Sequence, residues 1–302
     1  MGFEGLRTNL AEIRQRLSAG SSPPPHLSWF FRLDAQVAEV YGSASWPLTH
    51  YARDIEQLWA AGDEIGIHTH AFRWDEAGRS WMTDHGDQSW VDRAVRSTFE
   101  TFERTLGSRC RTFRFGDHWM NDATVRLLEE LGVHIDLTLE PGTPSRSSLI
   151  DTERYTGVTP DLTAAPRAPF RPSRLDFRVA DPNRSGGLWM MPVTTGRLPP
   201  HLQRGRSIYR WLTRARDAEF DVLALNPGLA LVLFRALAAR ILKPDPPTCL
   251  VLPLRSNIGA KARGLATLRG NLEYLLTHPL RERFVFCTPS EALALTRGPG
   301  NT

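Results

Sequence analysis

Short apolar segments alternate with longer amphipathic segments along the first half of the chain. Apolar residues recur at helical spacing in several segments, which predicts helices over residues 3–17, 49–61, 90–106 and 121–131. Shorter apolar segments, rich in aromatic and β-branched residues, lie between these helices and predict strands over residues 27–33, 64–70, 110–115 and 133–138. Because strands alternate with helices, the pattern favours an α/β fold with a parallel sheet or barrel.

Residues 140–186 interrupt this alternation. They are rich in Pro, Ser, Thr and Arg and show no period, which predicts a long irregular surface excursion. The alternation then resumes, with predicted strands over 188–193, 249–254 and 284–286 and predicted helices over 227–243 and 264–277. The sequence shows no internal repeat and no clear linker, so it predicts a single domain over residues 1–302.

The composition is that of a globular protein, with 41% hydrophobic and 23% charged residues. The net charge of +4 comes from scattered Arg residues, and no basic run indicates a nucleic-acid partner. The 3 cysteines are far apart and form no Cys-x-x-Cys pair, which argues against disulfides and favours a reducing compartment. The N-terminal residues show no secretory signal, and the longest apolar stretch, 223–242, is interrupted by Asn, Pro and Arg. We therefore expect a cytoplasmic protein without a membrane span.

His68 and His70 stand at the end of the strand predicted over residues 64–70. Residues two apart in a strand project to the same side, so the two imidazoles are expected in one pocket. Two imidazoles on one side are a common way to hold a divalent metal ion such as zinc. The alternative for a His-x-His pair is one buried, hydrogen-bonded histidine beside an exposed one.

The sequence around this pair resembles a known family. Gly62-Asp-Glu-Ile-Gly-Ile-His-Thr-His is similar to the Gly-His-Glu-Ile-Gly-x-His-Thr block of the polysaccharide deacetylases, the NodB-homology carbohydrate esterases. Ser28-Trp-Phe-Phe resembles the Thr-Phe-Phe strand of that family. Thr112-Phe-Arg-Phe-Gly-Asp and Leu127-Leu-Glu-Glu-Leu-Gly-Val-His-Ile-Asp-Leu resemble its Arg-x-x-Gly and Leu-x-x-x-Gly-x-x-x-Asp-x-Ser blocks. The resemblance covers about residues 6–136 and implies an irregular (β/α) barrel with the site at the carboxyl ends of the strands.

The resemblance also implies a chemistry. In that family a bound zinc or similar ion polarises an acetamide carbonyl and lowers the pKa of its water, so that hydroxide attacks and acetate leaves a free amine. Arg114 matches the Arg that orients the catalytic carboxylate, and Asp136 takes the family's Asp position. A surface pair between Arg114 and Asp117, and a structural hydrogen-bonding role for Asp136, are the alternatives. Asp117 and His118 follow the same strand; Asp117 is a further candidate catalytic residue, and His118 is a possible third ligand or acid.

Three departures from the family pattern concern this site. The family's second metal-binding His stands four residues after the first, where this chain has Phe72, so His70 has to replace it. The family's paired Asp residues lie on a strand before the first helix, whereas this chain starts with that helix. Either an upstream strand is missing, or the site is rebuilt with Asp34 as third ligand or base; a helix N-terminal role is the alternative for Asp34. The family's C-terminal His has no clear counterpart, and Arg255 stands near its place.

Aromatic residues flank the candidate site. Trp74 and Trp119 follow its segments, and aromatic faces stack on the apolar faces of sugar rings. We expect these two side chains and Arg255 to contact a carbohydrate or glycoconjugate substrate. Packing in the core or in a lid is the alternative for the Trp residues. His85 lies in a loop and could close over the site.

The sequence therefore predicts a metal-dependent hydrolase, with His68, His70 and Asp34 as ligands, that removes an N-acetyl or related acyl group from a sugar-containing substrate. Two alternatives stay open. A catalytically degenerate protein of this fold could bind glycans or a partner without catalysis, which the missing Asp pair and missing acid favour. An amidohydrolase-like metal barrel is the other, because His-x-His at a strand end is typical there too.

Overall fold

The computed structural model describes residues 2–18, 24–147, 154–202, 222–243 and 249–297. The chain divides into two compact units. The sheet unit comprises Ser28–Pro192 and Thr288–Thr302, and the helical unit comprises Met1–Leu27 and Val193–Cys287. Buried apolar residues form a core in each unit, and the single domain over residues 1–302 stays a prediction.

The helices and strands follow one another along the chain in this order: α1 (Gly2–Thr8), α2 (Leu10–Ser18), β1 (Ser28–Arg32), α3 (Ala35–Tyr41), α4 (Trp46–His50), α5 (Ala52–Ala60), β2 (Glu64–Thr69), β3 (Phe72–Asp75), β4 (Ser80–Asp84), α6 (Gln88–Leu106), β5 (Thr112–Phe115), α7 (Asp122–Glu130), β6 (Ile135–Asp136), β7 (Arg154–Thr156), β8 (Trp189–Met190), β9 (Thr195–Arg197), β10 (Val222–Ala224), α8 (Leu231–Ile241), α9 (Ala262–Leu276) and α10 (Pro289–Arg297). Two short 3-10 helices cover Ser256–Ala260 and Arg281–Arg283. Among all the helices that the structure describes, none is long and apolar enough to cross a membrane.

The sheet unit is built on a parallel sheet with the strand order β1-β2-β5-β6-β8. Ile67 of β2 pairs with Phe113 of β5, and both are fully buried, as is nearly all of Ile135 on β6. Helix α6 packs Phe99 against Phe113, with ring centroids 5.7 Å apart. Helical connections cover parallel strands, which is why these strands are short, nearly continuous apolar segments. The α/β class is therefore confirmed, and among the described strands the sheet is not closed into a barrel.

The excursion over residues 140–186 packs onto the sheet unit. Its strand β7 pairs in parallel with β4, and β4 forms an antiparallel hairpin with β3. Leu162, Phe170 and Phe177 are buried in it. Residues 148–153 lie outside the described residues. These three buried residues are too widely spaced to give a period along the chain, yet tertiary packing buries them.

The helical unit is built around the two N-terminal helices, α1 and α2, together with α9. The predicted helix over residues 3–17 is divided in two at Asn9, whose side-chain amide donates to Gly5 O at 2.7 Å and accepts from Arg269 at 2.8 Å. These hydrogen bonds favour a break in the helix, because Asn competes with the helical backbone for its partners. The apolar faces of α1, α2 and α9 form one core cluster: Leu6, Ile13, Leu17, Leu268 and Leu272.

Four further predicted elements differ from the structure. The segments 249–254 and 284–286 are not strands: Val251 makes single hydrogen bonds with Thr194, and residues 281–283 form a 3-10 turn. The helix predicted from residue 227 begins at Leu231, because the side chain of Asn226 accepts from Gly228 N at 2.7 Å and forms a turn. The helix predicted over 49–61 is divided at Tyr51 into α4 and α5.

Candidate functional site

The two histidines of the sequence motif lie at the carboxyl end of the parallel sheet. His68 is in β2, between Arg32 of β1 and Arg114 of β5, and His70 directly follows the strand. Loops at the carboxyl ends of parallel strands are where ligand sites form in α/β proteins. The pairing of β2 with β1 and β5 places His68 and His70 at this edge of the sheet.

The two imidazoles face each other through their Nε2 atoms, which are 3.0 Å apart. On the opposite side of each ring, His68 Nδ1 lies 3.0 Å from Arg114 O and His70 Nδ1 lies 2.7 Å from Asp117 Oδ2. A carbonyl and a carboxylate can only accept, so both Nδ1 atoms must donate. In a neutral imidazole the other nitrogen is then an acceptor, which leaves two lone pairs facing each other.

Two facing lone pairs repel unless a positive charge lies between them, and the candidates are a proton and a metal ion. Metal-binding histidines characteristically donate their second ring nitrogen to a carbonyl or carboxylate, as His68 and His70 do here. Two imidazole nitrogens suit zinc. Among the described residues, however, no group of three or more His, Cys, Asp or Glu side chains could hold a metal ion. The pair therefore fits as two protein ligands of a site whose other positions are left to water, substrate or a further group.

The charges around the pair favour neutral His68 and ionised Asp117. Burial, then repulsion from His70 whenever that ring is protonated and from Arg114, hold the pKa of His68 well below its usual value. Burial alone would raise the pKa of Asp117, but the hydrogen bond and charge of His70 outweigh it and lower that pKa. A neutral imidazole is the form that binds metals, and an ionised carboxylate is the form that orients it.

The backbone conformation after β5 positions the Asp117 carboxylate against His70. Asp117 and His118 both have left-handed backbone conformations, with φ of 56° and 55°. Such residues are uncommon outside glycine, and Asp and His tolerate the conformation better than most. Gly116 precedes them, and a Cβ there would collide with the ring of His70. On its other face that ring stacks on Phe72, with centroids 4.5 Å apart.

Arg114 and His118 meet at a carboxylate that the sequence interpretation missed. Glu140 Oε1 lies 3.3 Å from Arg114 Nη2 and 3.0 Å from His118 Nδ1, and Glu140 is buried. The alternation of Asp136, Thr138 and Glu140 after a strand could have indicated it, because residues two apart share a side.

Asp136 is fully buried at the end of β6 and is held by Thr138. Its Oδ1 accepts from Thr138 N at 2.9 Å and its Oδ2 from the Thr138 hydroxyl at 2.7 Å, and that hydroxyl accepts from Phe115 N. Burial raises the pKa of Asp136 to about 7, against the hydrogen bonds from Thr138. These contacts are those of the structural role that the sequence left open for Asp136.

Asp34 forms its hydrogen bonds with neighbouring residues of β1 and α3. It accepts from Arg32 Nε and Nη2, both at 2.8 Å, and caps the N-terminus of α3 through Val37 N. It belongs to no metal-binding group in the described chain. These contacts are those of a helix N-cap, the alternative that the sequence left open for Asp34.

The three predicted substrate contacts lie in different places. Trp74 is 42% exposed on the β3–β4 hairpin and packs edge-on against Trp81. Trp119 is buried and stacks on His85, with ring centroids 4.6 Å apart. Arg255 lies in the helical unit, exposed, before the 3-10 helix Ser256–Ala260.

Comparison with known proteins bears on the fold. No family model matches the chain, and no curated protein sequence matches it. A solved structure does match, the "putative polysaccharide deacetylase from Mycobacterium smegmatis", with a TM-score of 0.52 and 16% identity over 97% of this chain and 78% of that one. At this identity the likeness shows the fold alone. The chain has an α/β fold of the polysaccharide deacetylase type.

Proposed function

We propose that this protein is a metal-dependent hydrolase that removes an acetyl or related acyl group from a sugar-containing substrate. The observation that carries the proposal is the pair of facing imidazoles, His68 and His70, each fixed through its other nitrogen at the carboxyl edge of the sheet. The fold of the deacetylase type supports the substrate class.

The residues around the pair have distinct parts in the proposal. His68 and His70 would hold the ion, and Asp117 orients His70 by accepting from its Nδ1. Such an ion, when bound, supplies polarisation of an amide carbonyl and a water of lowered pKa. His118 has its Nδ1 against the buried Glu140 and a side chain that is 34% exposed, so its Nε2 is the nitrogen left to give a proton to the leaving amine. Arg114 Nη2 contacts the same oxygen of Glu140, Oε1.

The test is metal content together with acetate release. Purified protein is freed of adventitious metal, supplied with zinc, and analysed for bound metal and for acetate released from N-acetylglucosamine oligomers. The His68→Ala variant should lose both the metal and the activity, because one of two imidazole ligands is gone. His134→Ala, which removes an exposed imidazole of the same unit, is the matched control and should keep both. Unchanged metal content in the His68→Ala variant would show that the pair is not the metal site.

A second function is favoured by a specific observation. The described residues supply no group of three metal-binding side chains, which suits a protein of this fold that binds glycans without catalysis. Glycan binding with neither bound metal nor acetate release would favour this second function over the first.

A further inference from the structure

The two units of the chain carry opposite charges. Over residues 1–27 and 193–287, the helical unit, the sequence has 18 Lys and Arg against 8 Asp and Glu, a formal net charge of +10. The rest of the chain has 19 Lys and Arg against 25 Asp and Glu, a net charge of −6. A charge asymmetry of this size indicates that the positive part of the chain has an anionic partner.

Helix α8 presents one of its faces to solvent in the helical unit. Its inward face is buried in a core cluster through Phe234, Leu237 and Ala238, and Leu242 after the helix joins the same cluster. The turn before the helix is held by Asn271, whose side-chain amide donates to Pro227 O at 2.8 Å and to Leu229 O at 2.7 Å. The residues that this part of the chain exposes lie on the opposite face: Leu231, Val232, Arg235, Ala239, Arg240 and Lys243. The exposed face therefore belongs to a helix that is already fixed in its unit.

The first turn of this face is apolar. Leu231 is 40% exposed and Val232 is 60% exposed. Leu254, which is 37% exposed, lies beside the turn before the helix, because its Cδ1 is 3.4 Å from the position that a Cβ on Gly228 would take. Exposed apolar side chains that lie together beside polar ones mark surfaces that contact a protein or a membrane.

The later turns of the same face are basic. Arg235 and Arg240 are exposed on the helix, and Lys243 is exposed just after it. None of the three forms an ion pair with a residue that the structure describes, although the Arg235 guanidinium lies over the Tyr274 ring, 5.6 Å from its centroid. Residues 226–243 contain no Asp or Glu that could neutralise them. These three cations are therefore available to an external anionic group.

Anionic lipid headgroups suit this combination better than a nucleic acid does. A nucleic-acid backbone would pair with the cations but leave the exposed apolar side chains in water. A bilayer surface accepts apolar side chains just below the headgroups that attract the cations.

We propose that the helical unit binds the surface of an anionic lipid bilayer through this face. We call it the α8 surface, and it consists of Leu231, Val232, Arg235, Arg240, Lys243 and Leu254. The inference goes beyond the proposed function, since neither the histidine pair nor acyl transfer takes part in it.

The test is co-sedimentation of the full chain with lipid vesicles. Phosphatidylcholine vesicles with about 30% phosphatidylserine should bind the protein at low salt, and vesicles of phosphatidylcholine alone should not. Added salt should release the protein, because it screens the attraction between exposed charges. The double variant Arg240→Gln, Lys243→Gln should bind about 25-fold more weakly, or about fivefold for each cation removed. The double variant Arg53→Gln, Arg104→Gln removes two exposed cations of the sheet unit and should bind as the original protein does.

The Val232→Asp variant tests the apolar part of the surface. An Asp in the first turn of a helix interacts favourably with the helix dipole, so the fold should be kept, and circular dichroism checks this. Vesicle binding should weaken by about tenfold or more, because an apolar contact is replaced by a negative charge. The control is Val232→Leu, which should bind at least as tightly as the original protein.

The possible outcomes divide clearly. Binding that both α8 variants weaken and both controls keep supports the proposal. Absent binding to the anionic vesicles, equal binding to the neutral ones, or an equal loss in the sheet-unit control overturns it. Unchanged binding in the Val232→Asp variant also overturns it, because only an unspecific attraction between charges would then remain. Binding to duplex DNA without binding to vesicles would make the partner a nucleic acid and would likewise contradict the proposal.

Discussion

His70 owes its orientation to two neighbours that are distant in sequence. The Asp117 carboxylate accepts from its Nδ1, and Gly116 lets its ring lie against the backbone. Because Asp117 is in a left-handed conformation, its replacement must tolerate a positive φ, and Asn does so as well as Asp. Asp117→Asn is therefore a change of charge with little change of shape.

We expect Asp117→Asn to weaken zinc binding by about 10- to 100-fold, the usual effect of losing a partner that orients a metal-binding histidine. The affinity is measured by competition with a chromogenic chelator. Asp161→Asn, at an exposed carboxylate of the same unit, is the control and should bind zinc as the original protein does. An equal affinity in the Asp117→Asn variant would remove Asp117 from the site.

At the scale of single elements, β1 and α3 are joined through Asp34. The carboxylate pairs with Arg32 at the end of β1 and accepts from Val37 N in the first turn of α3. Both contacts lie within six consecutive residues, from Arg32 to Val37. They assign Asp34 to the stability of this strand-to-helix connection.

Asp34→Ala should lower the free energy of unfolding by about 0.5–2 kcal/mol, the usual effect of losing an N-cap. Asp34→Asn should lower it less, because Asn also caps helices. Chemical denaturation measures both, and elemental analysis should find the metal content unchanged in the folded variants. Loss of metal from folded Asp34→Asn protein would instead make Asp34 a ligand, as the sequence-based hypothesis has it.

At the scale of the whole molecule, buried titratable groups give stability opposite dependences on pH. The pKa of His85 is lowered by burial to about 3, so the unfolded chain takes up a proton below about pH 6.5 while the folded chain does not. This contribution to stability is lost as the pH falls below about 6.5. Asp136 acts in the opposite sense, since burial raises its pKa to about 7.

The unfolded chain ionises Asp136 above about pH 4, whereas the folded chain keeps its proton up to about pH 7. Stability from this group is therefore complete below pH 4 and lost as the pH rises towards 7. Asp136→Asn imitates the neutral carboxyl, and its amide can still reach the Thr138 hydroxyl. We expect the variant to gain stability relative to the original protein as the pH rises from 4 to 8.

The measurement is urea denaturation at a series of pH values. Glu100→Gln, at an exposed carboxyl on α6, is the control and should follow the original curve at a constant offset. A constant offset for Asp136→Asn as well would show that Asp136 ionises alike in both states.

The local pattern of the sequence was sufficient for the alternation of strands and helices and for the shared side of His68 and His70, because both depend only on the repeat of the backbone. The helix break at Asn9 escaped it, because the Asn9 side chain competes for Gly5 O and accepts from Arg269, which is distant in sequence. The segments 249–254 and 284–286 have the composition of strands. They form none, because a strand needs a neighbouring strand that completes its hydrogen bonds.

What the sequence determined by itself is the α/β order and the position of the histidine pair at a strand end. What only the tertiary structure decided is which groups complete the site: Asp117 against His70, Glu140 between Arg114 and His118, and Tyr155 against His85. These partners are separated by 22 to 70 positions along the chain, and no repeat of local geometry relates them. They meet because parallel strands bring their carboxyl ends to one edge of the sheet, and the loops that follow are free to place side chains there.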